Sequence, residues 1–272
     1  MFKGRPINPN KVKFHYHPTN DTWCRDHGPC FVLRSDGSKV VIDWDYNAWG
    51  AKYPPYGLDN DIPSKVASAL GLEMIKPEVV LEGGAVDFNG NGSVLTTSSC
   101  LLNQNRNPDM KRETMESILQ DYFGIHQVLW LPQGIAGDDT DGHIDTITRF
   151  VNPTTVVTVV EDDPVSTNYI PLLENLAALK KMKLMDGKPL NVLTLPMPRA
   201  RFNEGHQLPC TYANFYISNG AVLVPTYSDR NDSVALEILS HAFPSREIVG
   251  IDSIEIIRGL GSLHCLCMQE PL

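Results

Sequence analysis

Val128-Leu129-Trp130-Leu131-Pro132 returns as Val192-Leu193-Thr194-Leu195-Pro196, each time behind a segment with helical periodicity. Working outward, Ser93–Thr97 reads as a strand and Met110–Phe123 as a helix ahead of the first copy. Thr155–Val160, a β-branched run, and Ile170–Lys180 stand in the same relation to the second. Ala221–Pro225, Ser233–Ala242 and Glu247–Ile251 repeat the strand, helix, strand order a third time. Further strands are expected at Val86–Phe88, Thr146–Phe150 and Ala213–Ile217, so the unit is strand–strand–helix–strand. Such units line up in a doubly wound sheet or stand radially around an axis. No Gly-x-Gly-x-x-Gly follows a strand and no phosphate loop ends in Gly-Lys-Ser/Thr, which speaks against a nucleotide-binding sheet. A radial arrangement gathers the loops of every unit at one end, where scattered motifs converge.

The 272 residues, 42% of them hydrophobic, suffice for a sizeable core within one repetitive α/β domain. A formal net charge of −9 argues against nucleic acid or an anionic membrane as partner and suits a cationic small molecule. No apolar run of about 18 residues reads as a membrane helix, and Met1–Pro6 does not lead into the apolar core of a signal peptide. A cytoplasmic protein is expected, with Cys24, Cys30, Cys100, Cys210, Cys265 and Cys267 reduced; no pair has zinc-knuckle spacing. His15 and His17 share a face of an expected strand but lack a third ligand nearby, so no metal is expected.

Three segments carry chemistry. Cys265 follows Gly259-Leu260-Gly261-Ser262-Leu263-His264 close to the C-terminus, the setting of a thiol presented at a strand end. Most free cysteines are buried and inert, so the thiol needs companions. If His143 opens a strand in Gly142-His143-Ile144-Asp145, Asp145 shares its face, because strand side chains alternate; the bland alternative is a polar strand end after turn aspartates. The same alternation turns His264 away from Cys265 and makes it structural, leaving His143 as the base. Trp23-Cys24-Arg25-Asp26-His27-Gly28-Pro29 sets an indole beside a carboxylate, fit for a planar cation, or else a buried tryptophan next to an Arg25–Asp26 surface pair. Glu82-Gly83-Gly84 places a carboxylate before glycines that permit close backbone approach. Met197–Leu208 is a polar stretch that reads as a flap or as an ordinary surface loop.

The runs Asn20–Pro29, Asn47-Ala48-Trp49-Gly50, Leu81-Glu82-Gly83-Gly84, Asn105-Arg106-Asn107-Pro108, Gly137-Asp138-Asp139-Thr140 with Gly142–Asp145, Asn214–Ile217 with Asn219-Gly220, and His264-Cys265 resemble the agmatine deiminase family, kin to bacterial peptidylarginine deiminases. The resemblance implies a five-bladed α/β propeller of pseudo-repeats and a single catalytic domain of pentein type over residues 1–272. It implies Cys265 as nucleophile, His143 as general acid/base, Asp26 and Asp145 as guanidinium-binding carboxylates, and Glu82, Trp23 and Asp139 as further members of the site. No metal or organic cofactor is implied. The expected substrate is agmatine; arginine, peptidyl-arginine and an inactive guanidine-binding homologue are the alternatives.

The chain departs from the family pattern at Ala85, where the family has asparagine after Glu-Gly-Gly, and in Gly259–Cys265, whose glycines are sparser. Relatives carry an N-terminal segment, part of the first blade, that has no counterpart before Met1. The expectation is an incomplete first blade, an unpaired edge strand near Val12–His17, and a dimer or a marginally stable protein as its consequence.

Overall fold

The computed structural model describes residues 8–271. They form four three-stranded sheets of one topology, each with an antiparallel hairpin whose second strand takes a parallel third. In the first, β1 (Cys30–Leu33) pairs with β2 (Lys39–Ile42), and β2 with β3 (Glu73–Ile75). The second is β4 (Asp87–Phe88), β5 (Ser93–Thr97) and β6 (Gln127–Leu131). The third is β7 (Thr148–Asn152), β8 (Thr155–Val160) and β9 (Asn191–Pro196). β10 (Phe202–Asn203) and β11 (His206–Gln207) make a separate hairpin within the Met197–Leu208 stretch. The fourth sheet is β12 (Tyr216–Ile217), β13 (Ala221–Thr226) and β14 (Glu247–Asp252).

The helices Ile62–Leu70, Arg112–Phe123, Tyr169–Leu179 and Asp232–Ala242 make the crossovers to the parallel strands. Their ends are written locally. Gly71 and Gly124, at φ +67° and +62°, close the first two in the left-handed conformation that glycine adopts without penalty. Met115 and Leu119, four residues apart on the second helix, are fully buried against the sheet.

Arg149 of β7 donates Nε–H to Asp87 of β4 at 2.7 Å and Nη1–H to the Phe215 carbonyl at 2.9 Å. Its guanidinium also lies over the Phe215 ring, 4.9 Å from the centroid. One buried cation thus ties three sheets together, and Asp87 also accepts from the Phe150 backbone N–H at 2.6 Å.

Among the described residues there are four such sheets, and none is closed. Several expectations need correction. Residues 12–19 form no strand, so the edge expected near Val12–His17 is absent; among the described residues no backbone ladder pairs with that segment to hold it extended. The His15 and His17 rings stack 6.1 Å apart, and no third ligand joins them among the described residues. β7 begins at Thr148 rather than Thr146, because Ile144–Thr146 is a 3₁₀ turn. The strand expected over Ala213–Ile217 shrinks to Tyr216–Ile217.

Candidate functional site

The residues singled out in the sequence come together where the loops of several units meet. Trp23 precedes the helical turn Cys24–His27. The backbone N–H of Arg25 donates to the Cys265 carbonyl at 3.0 Å, so the two ends of the chain are stitched at the site. Gly259 and Gly261 lie under the Trp23 indole; a Cβ on Gly261 would fall 2.5 Å from the ring. That contact explains why those positions are glycine while Leu260 and Ser262 can carry side chains.

Asp26 is held at both carboxylate oxygens, by the Gly84 backbone N–H at 3.0 Å and the Trp49 indole N–H at 3.0 Å. His143 lies behind it, Nδ1 3.7 Å from Asp26 Oδ1 and Nε2 3.9 Å from Glu82 Oε2. Glu82 is anchored through Oε1 by Arg106 Nε–H at 2.7 Å, and Arg106 also grips Asp141. Cys265 Sγ lies 3.3 Å from Asn214 Nδ2 and 3.9 Å from Asp145 Oδ2. His264 Nδ1 lies 2.7 Å from the same Asp145 oxygen.

An open cavity of ≈ 150 Å³ has Cys265, Asp26, Trp23 and Asp139 in its wall, together with Asp21, Trp49, Tyr53 and Arg258. Glu82, His143 and Asp145, all 1% exposed or less, stand behind that wall. Asp139 accepts from the Tyr53 hydroxyl at 2.5 Å, and Lys52 bonds the Asp139 carbonyl and Asp141.

Burial and charge set opposing protonation preferences. Burial disfavours charge on His143, but the Asp26 and Glu82 carboxylates and the Cys100 thiol outweigh it and hold the imidazole protonated well above the usual histidine range. Burial, with Asp145 and Asp26 behind it, keeps Cys265 a thiol far above the ordinary cysteine range. Burial lifts Asp145 to about 7 against the pull of His143, Arg149 and Arg25. Glu82 stays below its usual range because His143 and Arg106 overcome its burial. Burial, then Arg149 and Arg25, push His264 well below the histidine range, so it is a neutral imidazole that shares a hydrogen bond with Asp145 through Nδ1. Among the described residues, the cavity wall itself carries three carboxylates, Asp21, Asp26 and Asp139, against one cation, Arg258, a balance that suits a cationic ligand.

Two readings change. His143 and Asp145 do not share a strand face, since they flank and occupy the 3₁₀ turn; non-local partners, Asp26 and Glu82 for one and His264 for the other, orient them. His264 lies in a turn over residues 263–266, where strand alternation does not apply, and it bonds a candidate carboxylate instead of serving only the core. Asn214, Trp49 and Arg106 were not singled out as site residues, and their sequence signal was membership of the quoted motifs; Tyr53 lies outside those motifs and had none. Glu82, Cys100 and His143 bring ligand atoms within 4.8 Å of one another, as a metal trio would. The proton held on His143 and the Arg106 grip on Glu82 oppose metal binding there.

The description of the family model that matches residues 3–271 is Porphyromonas-type peptidyl-arginine deiminase. Agmatine deiminase of Pseudomonas syringae pv. tomato is 35% identical over 276 residues, covering 93% of this chain and 75% of that protein. Among solved structures, a cysteine-to-serine variant of C. jejuni agmatine deiminase with substrate bound superposes with a TM-score of 0.89 at 39% identity, covering 94% of this chain and 75% of that one. Agmatine deiminase of Enterococcus faecalis superposes with a TM-score of 0.89 at 35% identity, over 94% of this chain and 76% of that one.

Proposed function

This chain belongs to the Porphyromonas-type peptidyl-arginine deiminase family, and we propose that it hydrolyses agmatine to N-carbamoylputrescine and ammonia. The observation that carries this reading is one cavity with two acidic levels. Buried Asp26 stands beside the Cys265 thiol, and partly exposed Asp21 and Asp139 stand in the same wall. A ligand with a guanidinium at one end and an amine at the other matches that arrangement.

In this reading Asp26 and Asp145 accept N–H donors of the guanidinium, while Trp23 covers its flat face. The cation lowers the proton affinity of Cys265 by offsetting the carboxylates that raise it, the thiol proton leaves to solvent, and the thiolate attacks the guanidinium carbon. A C–S bond forms and a tetrahedral adduct results. The imidazolium of His143, steadied by Glu82, gives its proton to the departing nitrogen; the C–N bond breaks, ammonia leaves, and an S-alkylthiouronium remains on Cys265. His143, now neutral, takes a proton from water as the oxygen attacks that carbon. Collapse breaks the C–S bond, gives the hydroxyl proton to solvent, and releases the carbamoyl product and the thiolate. The four like sheets, three of them tied by Arg149, support reading them as blades of a five-bladed propeller with the site at its axis. Six free cysteines suit a reducing cytoplasm.

A second reading, deimination of free arginine, is favoured by Arg258 in the cavity wall. Its guanidinium pairs with Glu255 at 3.2 Å, and Arg106, Arg199 and Arg201 are engaged by Glu82 and Asp141, Asp229 and the Tyr227 carbonyl. Turnover of agmatine, arginine and a blocked arginine peptide, measured side by side, decides the matter. Agmatine is expected to lead, and a higher kcat/KM for either rival would reassign the substrate.

A further inference from the structure

Asn214, in the loop before β12, is 1% exposed and touches the Cys265 sulfur, yet it carries no charge. Its orientation is set by its surroundings. The Oδ1 atom accepts from the His264 backbone N–H at 3.1 Å, and the Asn214 carbonyl accepts from the same N–H at 3.2 Å. Flipping the amide would face its NH₂ against that donor, so the NH₂ must point the other way. There it meets Cys265 Sγ at 3.3 Å and the Asp145 carbonyl at 3.5 Å. Among the described residues, this amide is the side-chain donor within hydrogen-bond distance of the sulfur. The other side-chain groups close to Sγ are acceptors, Asn214 Oδ1 at 3.5 Å and Asp145 Oδ2 at 3.9 Å, while the Ser262 backbone also hydrogen-bonds the sulfur.

We propose that Asn214 is a catalytic residue whose Nδ2–H stabilises the Cys265 thiolate in the working enzyme. The proposal rests on Cys265 being the nucleophile. Before ionisation the thiol proton can lie toward Asn214 Oδ1 or Asp145. Once it has left for solvent, both of those groups oppose negative charge on sulfur, and the amide N–H is the side-chain donor already aimed to receive it, beside the Ser262 backbone. No rearrangement is needed at that moment, which is how a preorganised donor acts on developing charge. The same amide spans the Asp145 carbonyl and the His264 N–H, so sulfur, carboxylate-bearing turn and donor keep a fixed relation.

The test is the pH dependence of Cys265 alkylation, read by mass spectrometry with uncharged iodoacetamide and cationic 2-chloroacetamidine. In the wild-type protein 2-chloroacetamidine should label Cys265; labelling elsewhere overturns both the nucleophile and this proposal. With that established, Asn214→Ala should move the alkylation profile with either reagent upward by about 1–2 pH units. It should also lower kcat for agmatine about 10- to 100-fold, the usual weight of a hydrogen bond to a charged group, with KM little changed. Asn214→Asp keeps the acceptor for the His264 N–H and loses the donor, so it should hold the turn and still shift the profile upward. A folded variant of either kind with a wild-type profile overturns the proposal, whatever happens to kcat. Should neither variant fold, the Asn214 side-chain ¹⁵N resonance of the wild-type protein decides: it must move as Cys265 ionises, and a signal that stays in place overturns the assignment.

Discussion

A Cβ placed on Gly84 would lie 2.5 Å from His143 Nδ1 and 2.8 Å from Asp26 Oδ1. The backbone at this position packs against both a histidine and the carboxylate that raises its proton affinity, and its N–H binds that carboxylate at 3.0 Å. Gly84→Ala should therefore cost at least about 100-fold in kcat/KM, since small displacements at a reacting centre act on rate steeply. Melting temperature and agmatine turnover, measured together, check it. A folded variant retaining a tenth of wild-type activity would show that the histidine–aspartate spacing is not critical.

Cys265→Ser should abolish turnover, while Cys267→Ser keeps most of it. Cys265 lines the cavity, whereas Cys267 is absent from its wall and stands beside Cys24 and Arg25. Equal loss in both variants, with folding intact by circular dichroism, contradicts the assignment.

Asp26→Asn should lower kcat/KM by about two orders of magnitude or more. One charge-assisted contact accounts for roughly 1.5–3 kcal/mol of that, and lost orientation adds to it. An effect of tenfold or less would make this carboxylate peripheral.

Binding of agmatine should weaken as the pH falls through about 7, where buried Asp145 gains its proton. The sign follows from linkage: the cation prefers the ionised carboxylate, so binding expels a proton below that pH and the Kd rises up to about tenfold per unit. The same elevated value means that the folded protein holds a proton the unfolded chain releases, so this carboxylate lowers stability as the pH rises from about 4 to about 7. Calorimetric titration of the Cys265→Ser protein across pH 5–8 checks the binding, and Asp145→Asn should flatten its slope. A Kd constant over that range in the unsubstituted-Asp145 protein contradicts the prediction.

Arg149→Met should destabilise the protein by about 3–5 kcal/mol, because it leaves Asp87 buried without its cation. Replacing Asp87 with leucine as well should recover part of the loss. Urea denaturation of the three proteins reads this directly, and a single variant within about 1 kcal/mol of wild type would deny Arg149 its role as the tie between sheets.

The repeat of strand, strand, helix and strand was legible before any coordinates, because such elements are built from local patterns. A β-branched run such as Thr155–Val160 and an i, i+4 apolar pair such as Met115 and Leu119 announce themselves within one segment. The ordered motifs likewise marked Cys265, Asp26 and Trp23, and those three do line one cavity. Alternation along a strand failed wherever the backbone was not a strand: at Ile144–Thr146, a 3₁₀ turn, and at His264, which turns its imidazole onto Asp145. Only the tertiary structure decided that Asp26 and Glu82 flank His143 and that the Asn214 amide points at the Cys265 sulfur. The physical reason is that a side chain's partner across the site is chosen by backbone groups far away in sequence, the Gly84 N–H for Asp26 and the His264 N–H for Asn214, and no local periodicity encodes which of these meet.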